Sequence, residues 1–335
     1  MQPLPPLHPW LRIDPEPLVS DLSERLRDAV HRRLRRKGVV VALSGGIDSS
    51  VCTALAARAF GPERVLALLL PERESSPQST ALGERVARHL GVPFLEEDLT
   101  AALEALGCYR RRDEAIRSVF PDYGDGHRCK LVAAGRAGAA SRFTWFKLVV
   151  ESPAGERREK RIPLREYLEI VAATNFKQRL RKSAEYYHAD RLHFAVLGTP
   201  NRLEYDQGFF VKNGDGSADV KPIAHLYKSQ VYALGRHLGL PAEVLSARPT
   251  TDTYSLEQGQ DEFFFVLPHE VLDVILRGLN LGVPAEEIAR EVGLDAERVL
   301  AALRDIVDRR RSTRPLHEGP ILLHEVPEIE TGPEA

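Results

Sequence analysis

Two glycines flanked by hydroxyl and carboxylate side chains form the stretch of this sequence best suited to chemistry. Between positions 44 and 50 the chain reads Ser44-Gly45-Gly46-Ile47-Asp48-Ser49-Ser50. Glycine lets the backbone turn sharply and approach a ligand closely. A helix that starts directly after such a turn presents free N–H groups and the positive end of its dipole, which suits a phosphate group. No lysine follows the glycines, so the run is not a Walker A loop.

The elements on either side of this turn support a nucleotide-binding role. Residues 39–43 are an apolar run rich in β-branched residues, which predicts a strand covered on both faces. The spacing of Val51, Leu55 and Ala59 predicts a helix directly after the turn. A purely structural Gly-Gly turn with a capping side chain is the alternative for the turn alone. The agreement of strand, turn and helix favours the nucleotide.

Further apolar runs predict the rest of an α/β fold. Strands are predicted over residues 65–70, 94–99 and 194–198, and a helix is predicted over residues 77–90. Strands that alternate with helices imply right-handed crossovers and a doubly wound parallel sheet flanked by helices. Ligands bind at the carboxyl ends of the strands in such sheets, which is where residues 44–50 fall.

The chain divides into an arm, one domain and a tail. Residues 1–20 are expected to form a proline-rich N-terminal arm, with a helix starting at Asp21. Residues 21–314 are expected to form a single domain whose last part is helical, with patterns that end near residue 311. Residues 315–335 are proline-rich and acidic and are expected to form a flexible tail.

A segment of about residues 100–165 is an insertion in the predicted domain. It contains a predicted hairpin, with strands over 143–150 and near Arg161 and a turn over 152–155. Two interpretations remain open at this point. The segment is either a surface elaboration or a cap over the substrate site, with the arginines at 110–112 available for an anion.

The composition of the chain limits the class of protein and the kinds of partner that can be expected. Its 335 residues are 43% hydrophobic and 28% charged, which is ordinary for a globular protein with a sizeable core. The formal net charge of −2 argues against a nucleic-acid partner. There is neither an apolar run long enough to span a membrane nor a signal-peptide pattern. Three cysteines without close pairing fit a reducing cytoplasm.

The order of several short motifs resembles that of the NAD synthetase family, which belongs to the N-type ATP pyrophosphatases. The resemblance runs from Val39 to Thr250 and omits the insertion. Besides the loop at 44–50, it rests on Asn175-x-Lys177-x-Arg179, Gly198-Thr199-x-Asn201-Arg202-x-Glu204, Lys212-x-Gly214-Asp215-Gly216-x-x-Asp219, Leu226-Tyr227-Lys228-x-Gln230-Val231 and Pro249-Thr250-x-Asp252. Each motif alone is weak evidence, but their joint order is specific.

The resemblance implies a role for each matching residue. Asp48 and Lys228 would be catalytic, and Mg²⁺ would be held by Asp48 and Glu204. Deamido-NAD would contact Arg179, Lys212 and Asp219. The residues implied to bind ATP are Ser44, Gly45, Gly46, Ile47, Asp48, Ser49, Ser50, Thr199, Lys228 and Thr250.

The chemistry implied by the family is ATP-dependent amide formation. A carboxylate is a poor acyl acceptor for ammonia, so the acid is first adenylated with release of pyrophosphate, and ammonia then displaces AMP to give NAD. Loop amides, Lys228 and Mg²⁺ would stabilise the departing pyrophosphate. The resemblance also implies a cytoplasmic homodimer. No glutamine-hydrolysing domain is apparent, so ammonia is expected free or from a separate glutaminase partner, with neither nucleic acid nor membrane involved.

Two departures from the family pattern concern the acid substrate. Family members usually end with a His-Lys pair that contacts the dinucleotide, whereas Ser312-Thr313-Arg314 stands at the corresponding place here. The insertion is also much longer than the family connection. These departures keep a second hypothesis open, in which the same adenylation and amidation act on another carboxylate, such as a sugar acid or other metabolite. A non-catalytic nucleotide-binding module is a third.

Overall fold

The computed structural model describes residues 7–134, 145–247, 254–256, 259, 267–324 and 326. Its strands, in chain order, are β1 (Val39–Ala42), β2 (Val65–Leu69), β3 (Phe94–Glu96), β4 (Arg128–Ala134), β5 (Trp145–Glu151), β6 (Arg157–Arg161) and β7 (Ala195–Leu197). Parts of four predicted features lie outside the described residues: the start of the arm, the start of the hairpin at 143–144, the Pro-Thr-x-Asp motif at 249–252 and the end of the tail.

Helices surround the strands and form most of the C-terminal part. They are α1 (Pro15–Arg27), α2 (Ile47–Phe60), α3 (Pro77–Leu90), α4 (Thr100–Ala105), α5 (Cys108–Arg117), α6 (Leu164–Leu192), α7 (Arg202–Gln207), α8 (Lys228–His237), α9 (Ala242–Ser246), α10 (His269–Leu281), α11 (Ala285–Val292) and α12 (Ala296–His317). Within the described part of the chain, no helix is both long and apolar enough to cross a membrane.

Four strands form the central parallel sheet in the order β3-β2-β1-β7. Because successive strand side chains point to opposite faces, Val39 and Val41 pack in one core cluster with α1, α2 and α8. Val40, between them, packs in a second cluster with residues of α4, α5 and α6. Both faces are therefore covered. This arrangement confirms the predicted doubly wound α/β fold, and it puts the end of β1 beside the start of α2.

The insertion folds into a three-stranded antiparallel sheet in the order β4-β5-β6. The predicted hairpin is confirmed, because β5 and β6 pair across a turn with Glu151 opposite Arg157. Strand β4 and helices α4 and α5 were not predicted. The sheet has its own apolar cluster, which includes Leu131 and Leu148 and continues into Ile170 of α6. The insertion is therefore packed onto the helix that carries the Asn-x-Lys-x-Arg motif.

The helices at both ends of the predicted domain extend beyond their predicted bounds. Helix α1 begins at Pro15 rather than at Asp21, since proline is tolerated in a first helical turn, where its missing N–H would have no partner. Leu11 is buried in the cluster formed by α10, α11 and α12. Helix α12 continues past the expected end near residue 311 and includes Pro315.

Candidate active site

The loop between β1 and α2 has a shape that only glycine permits. Gly45 has φ +78°, in the left-handed region that favours glycine. A Cβ at Gly45 would lie 2.6 Å from the carbonyl oxygen of Ser79 and 2.7 Å from Cβ of Leu82, both on α3. Gly46 is the N-cap of α2, and no side chain caps this helix. The free N–H groups at its N-terminus are therefore available to an anion.

Hydroxyl groups hold the loop in this shape. Oγ of Ser44 accepts a hydrogen bond from the Gly46 N–H at 3.3 Å. Oγ of Ser49 and Oγ of Ser50 donate to the Gly46 carbonyl oxygen at 3.0 and 2.8 Å. Ser44 and Ser49 line the adjoining cavity, whereas Ser50 is fully buried and is absent from its lining. The contacts of Ser50 are thus with the backbone of the loop.

A cavity of about 730 Å³ opens at the carboxyl ends of the strands, within the size range of small-molecule sites. Thr250 lies outside the described residues. The cavity brings together most of the predicted site residues from five separate parts of the chain: Ser44, Gly45, Gly46, Ile47, Asp48, Ser49, Arg179, Thr199, Glu204, Lys212 and Lys228.

Asp219 is not among the residues that line this cavity. Its carboxylate accepts hydrogen bonds from the Val196 N–H at 2.8 Å and from the Tyr186 hydroxyl at 3.2 Å. The residue is exposed. Within a single chain, Asp219 therefore contacts β7, the end strand of the sheet, and does not line the cavity beside the glycine loop.

Asp48 and Lys228 form an ion pair at the centre of the site. Nζ of Lys228 donates to Oδ2 of Asp48, and the lysine side chain is only 3% exposed. Burial alone would lower the pKa of Lys228, but the charges of Asp48 and Glu204 outweigh it and raise that pKa above its ordinary value. Lys228 is therefore a fixed positive charge beside the glycine loop.

Asn201 connects the two acidic residues of the site, a function that the sequence analysis did not assign. Its Nδ2 donates to Oδ1 of Asp48 at 3.0 Å, and its Oδ1 accepts from the N–H groups of Leu203 and Glu204. Oε2 of Glu204 accepts in return from the Asn201 N–H at 3.1 Å. The Asn-x-x-Glu spacing is that of a capping box and was a usable signal.

Asp273 of α10 holds the helix that carries Lys228, and the sequence analysis missed it entirely. The fully buried carboxylate accepts from the Lys228 N–H at 3.3 Å, the Ser229 N–H at 2.7 Å and the Ser229 hydroxyl at 2.6 Å. Burial raises the pKa of Asp273 to about 7, against the opposing effect of these hydrogen bonds. The available signal in the sequence was an acidic residue between Leu272 and Val274 in an apolar helix. This pattern indicates a buried carboxylate but does not show which residues it contacts.

The C-terminal end of α12 reaches the substrate side of the cavity. Nζ of Lys212 donates to the carbonyl oxygens of Pro315 and Glu318 at 2.8 and 3.0 Å, and Leu316 lines the cavity. The first residues of the expected flexible tail thus contact a predicted substrate residue. The hydroxyls of Ser312 and Thr313, where the His-Lys pair was expected, bond back to the Arg309 carbonyl oxygen.

A buried ion network lies beside the cavity and uses one of the arginines of the insertion. Nζ of Lys177 donates to Glu72 at 2.9 Å and to Glu74 at 2.6 Å, and Arg112 of α5 also pairs with Glu74. Burial would raise the pKa of Glu74, but Lys177 and Arg112 outweigh it and lower that pKa to about 2. Arg112 was expected to be available to an anionic ligand, but its charge is used inside the protein.

Comparisons with known proteins agree with this geometry. The family model described as NAD synthase matches residues 18–118 and 156–314. The chain is 52% identical over 316 residues to an "NH(3)-dependent NAD(+) synthetase" of Rhizobium rhizogenes, covering 94% of this chain and 95% of the relative. It is 54% identical over 320 residues to a protein of the same description from Rhizobium meliloti, covering 96% and 95%.

Solved structures share the fold at low sequence identity. An NH3-dependent NAD synthetase from Campylobacter jejuni superposes with a TM-score of 0.61 at 20% identity, covering 93% of this chain and 100% of that one. An NMN synthetase from Francisella tularensis superposes with a TM-score of 0.63 at 21% identity, covering 93% and 99%. At these identities the likeness concerns the fold alone.

Proposed function

Because this chain belongs to the NAD synthase family, we propose that it is an ammonia-dependent NAD synthetase. It adenylates the carboxylate of deamido-NAD with ATP, releases pyrophosphate and forms NAD when ammonia displaces AMP. The observation that carries this proposal is the Asp48–Lys228 ion pair beside the glycine loop, inside one cavity with Glu204.

The glycine loop and Lys228 bind the phosphates that leave. The open N-terminus of α2 offers N–H groups to the anion, and we assign Thr199 and Thr250 to ATP binding because they match the motifs of the family. The attack of the acid on the α-phosphate shifts negative charge to pyrophosphate. The fixed charge of Lys228 stabilises that change, as pre-organised donors do at developing anions. Asp48 keeps the ammonium group of Lys228 pointed at this position.

Two carboxylates of the cavity fit a Mg²⁺ ion that arrives with ATP. Magnesium prefers oxygen ligands, retains several waters and is held in nucleotide sites by one or two carboxylates together with phosphates. Asp48 and Glu204 supply those two carboxylates, and no larger cluster of metal-ligating side chains occurs among the residues that the structure describes. When bound, the ion neutralises phosphate charge.

The acid substrate is bound by two other cations of the cavity lining. Arg179 and Lys212 both line it, and Nε of Arg179 donates to the Lys212 carbonyl oxygen at 3.4 Å. Asp219 is the third residue that we assign to the dinucleotide, yet it lies outside the cavity of its own chain. A homodimer reconciles these positions, because Asp219 of one chain then serves the substrate of the other.

Mixed chains test the dimer. Sedimentation is expected to give twice the mass of the chain, and Asp48→Asn and Asp219→Ala are each expected to lose most activity. A refolded mixture of the two is expected to recover about a quarter of the wild-type rate, since one hybrid site in each mixed dimer is intact. If the mixture stays inactive while the protein sediments as a dimer, Asp219 does not act across the interface.

Ammonia reaches the site free in solution or from a separate glutaminase partner, and the reaction takes place in the cytoplasm. The three cysteines Cys52, Cys108 and Cys129 are buried free thiols, which suits a reducing compartment. Glutamine added to the purified chain is expected to leave the rate unchanged, whereas ammonium is expected to support it. Turnover with glutamine alone would contradict the assignment of ammonia as the nitrogen donor.

The central experiment combines products with ATP analogues. Purified protein with deamido-NAD, ATP, Mg²⁺ and ammonium is expected to form NAD, AMP and pyrophosphate in equal amounts. ATP with a methylene group between the β- and γ-phosphates is expected to support the reaction, and ATP with that group between the α- and β-phosphates is expected to block it. Formation of ADP would refute the mechanism. Formation of AMP only with another acid would refute deamido-NAD as the substrate while leaving the adenylation intact.

A further inference from the structure

An aromatic pair forms the wall of the cavity on the side of the insertion. The rings of Phe146 on β5 and Tyr167 on α6 are stacked, with centroids 4.4 Å apart and planes at 18°. Both side chains line the cavity that holds the glycine loop, as does Val171 one turn further along α6. Both rings are partly exposed. They are therefore accessible from the space in which the substrates bind.

Strand alternation explains why Phe146 faces the interior. Leu148 and Val150 follow it at a spacing of two and are fully buried, because alternate residues of a strand lie on the same face. Lys147 lies on the other face and pairs with Glu159. The insertion thus turns one apolar face of β5 toward its core and continues that face into the cavity at Phe146.

One of the two rings of this wall lies outside the part of the chain that the family model matches. The family model leaves residues 119–155 unmatched, and Phe146 lies within them. The same sheet also binds the segment that follows the Pro-Thr-x-Asp motif. The Leu256 N–H donates to the Cys129 carbonyl oxygen at 3.1 Å, and the Cys129 N–H donates to Oγ of Ser255 at 2.9 Å. The insertion is therefore built into the active site, which favours the cap over the surface elaboration.

We propose that Phe146 and Tyr167 form a binding subsite for a planar heteroaromatic ring of the acid substrate. Stacked and offset aromatic arrangements contribute favourable energy beyond the area they bury, and the cavity wall offers no comparable stacked pair among its described residues. This inference depends on the proposed function for the identity of the acid, since deamido-NAD contains two such rings, a pyridine and an adenine. It assigns to the insertion a part in selecting a nucleotide acid over an aliphatic one.

The test removes the aromatic ring and keeps an apolar side chain. In Phe146→Leu we expect the KM for deamido-NAD to rise roughly three- to tenfold, which is the loss of one stacking contact. The KM for ATP and the kcat are expected to remain within about twofold of wild type. Phe146→Tyr keeps an aromatic ring and is expected to behave like wild type. Lys147→Ala, on the opposite face of the same strand, is the matched control and is expected to change neither KM.

Two further measurements separate the possible results. Calorimetric titration of deamido-NAD and ATP into wild type and Phe146→Leu tests the subsite even without turnover, so a failure of the proposed function is seen separately. Nicotinate mononucleotide, which lacks the adenine, is then used as a competitor. Weaker competition in Phe146→Leu assigns the pyridine ring to the subsite, and equal competition in both proteins assigns the adenine ring of the acid. A change confined to ATP, or no change in either affinity, would overturn the proposal.

Discussion

Replacing Asp273 with asparagine tests whether the C-terminal helices position Lys228, the lysine that we propose to be catalytic. The carboxylate accepts three hydrogen bonds from Lys228 and Ser229 at the start of α8. Asparagine has nearly the same shape but only one acceptor oxygen. Either the Lys228 N–H or the two donors of Ser229 would therefore face an NH2 group instead of an acceptor. An unsatisfied buried donor costs about 1–3 kcal/mol, and loss of a helix cap costs about 0.5–2 kcal/mol. We expect Asp273→Asn to lose roughly 1–3 kcal/mol of stability near pH 4, below the range in which ionisation of the buried Asp273 destabilises wild type.

The effect on catalysis is expected to exceed this loss of stability. Removing one pre-organised donor from a developing anion typically lowers kcat by a factor of about 10²–10³. A Lys228 that is displaced but still present is expected to lose only part of this rate enhancement. We therefore expect kcat to fall roughly 10- to 100-fold, with little change in the KM for deamido-NAD. Steady-state measurement of pyrophosphate release gives kcat, and thermal unfolding gives the stability.

Asp295→Asn is the matched control for this experiment. Asp295 caps α12 through the Arg298 N–H at 2.7 Å, far from Lys228 in the chain and absent from the cavity lining. We expect it to lose a little stability and to keep the wild-type kcat. If Asp273→Asn shows an unchanged kcat, or the same kcat as Asp295→Asn, the reasoning about the position of Lys228 is refuted.

The stability difference between wild type and Asp273→Asn is also expected to depend on pH. The pKa of Asp273 is raised from its ordinary 3.8 to about 7 in the fold. A raised pKa means that the folded state holds the proton of Asp273 more tightly than the unfolded state does. The stabilisation from this tighter proton binding is complete below pH 3.8 and is lost as the pH rises through about 7. The advantage of wild type over Asp273→Asn should therefore shrink between those values in unfolding experiments.

Three further substitutions test other parts of the site. Asp48→Asn is expected to lower kcat by about 10³ or more and also to lower Tm, because the buried Lys228 ammonium group loses its paired carboxylate; an active variant would remove the role of the Asp48–Lys228 pair. Gly83→Ala places a Cβ 2.8 Å from the Leu43 carbonyl oxygen, so α3 must move from the loop; we expect the KM for ATP to rise severalfold, and unchanged ATP affinity would contradict this. Glu74→Gln is expected to lower Tm at neutral pH. Because the pKa of Glu74 is lowered from 4.5 to about 2, the difference from wild type should disappear as the pH falls through that range, and a constant difference would refute it.

Local chemistry allowed the sequence to predict the strand, turn and helix around the glycine loop. Gly45 requires a left-handed backbone, the apolar run at 39–43 requires cover on both faces, and Asp48 follows the turn by a fixed number of residues. Each of these requirements is satisfied within a few residues of the chain. The parallel sheet with the loop at the end of β1 is accordingly as predicted. Glu204 and Lys228 line one cavity with that loop, and their roles stay predictions.

Contacts between distant parts of the chain decided the rest, because a sequence pattern shows which residues are buried but not what they meet. Asp273 reads as an acidic residue in an apolar helix until the fold brings it to the start of α8. Arg112 reads as a free cation until Glu74 pairs with it. Phe146 reads as one residue of a hairpin strand, and only the packing of the insertion on α6 places its ring beside Tyr167 in the cavity.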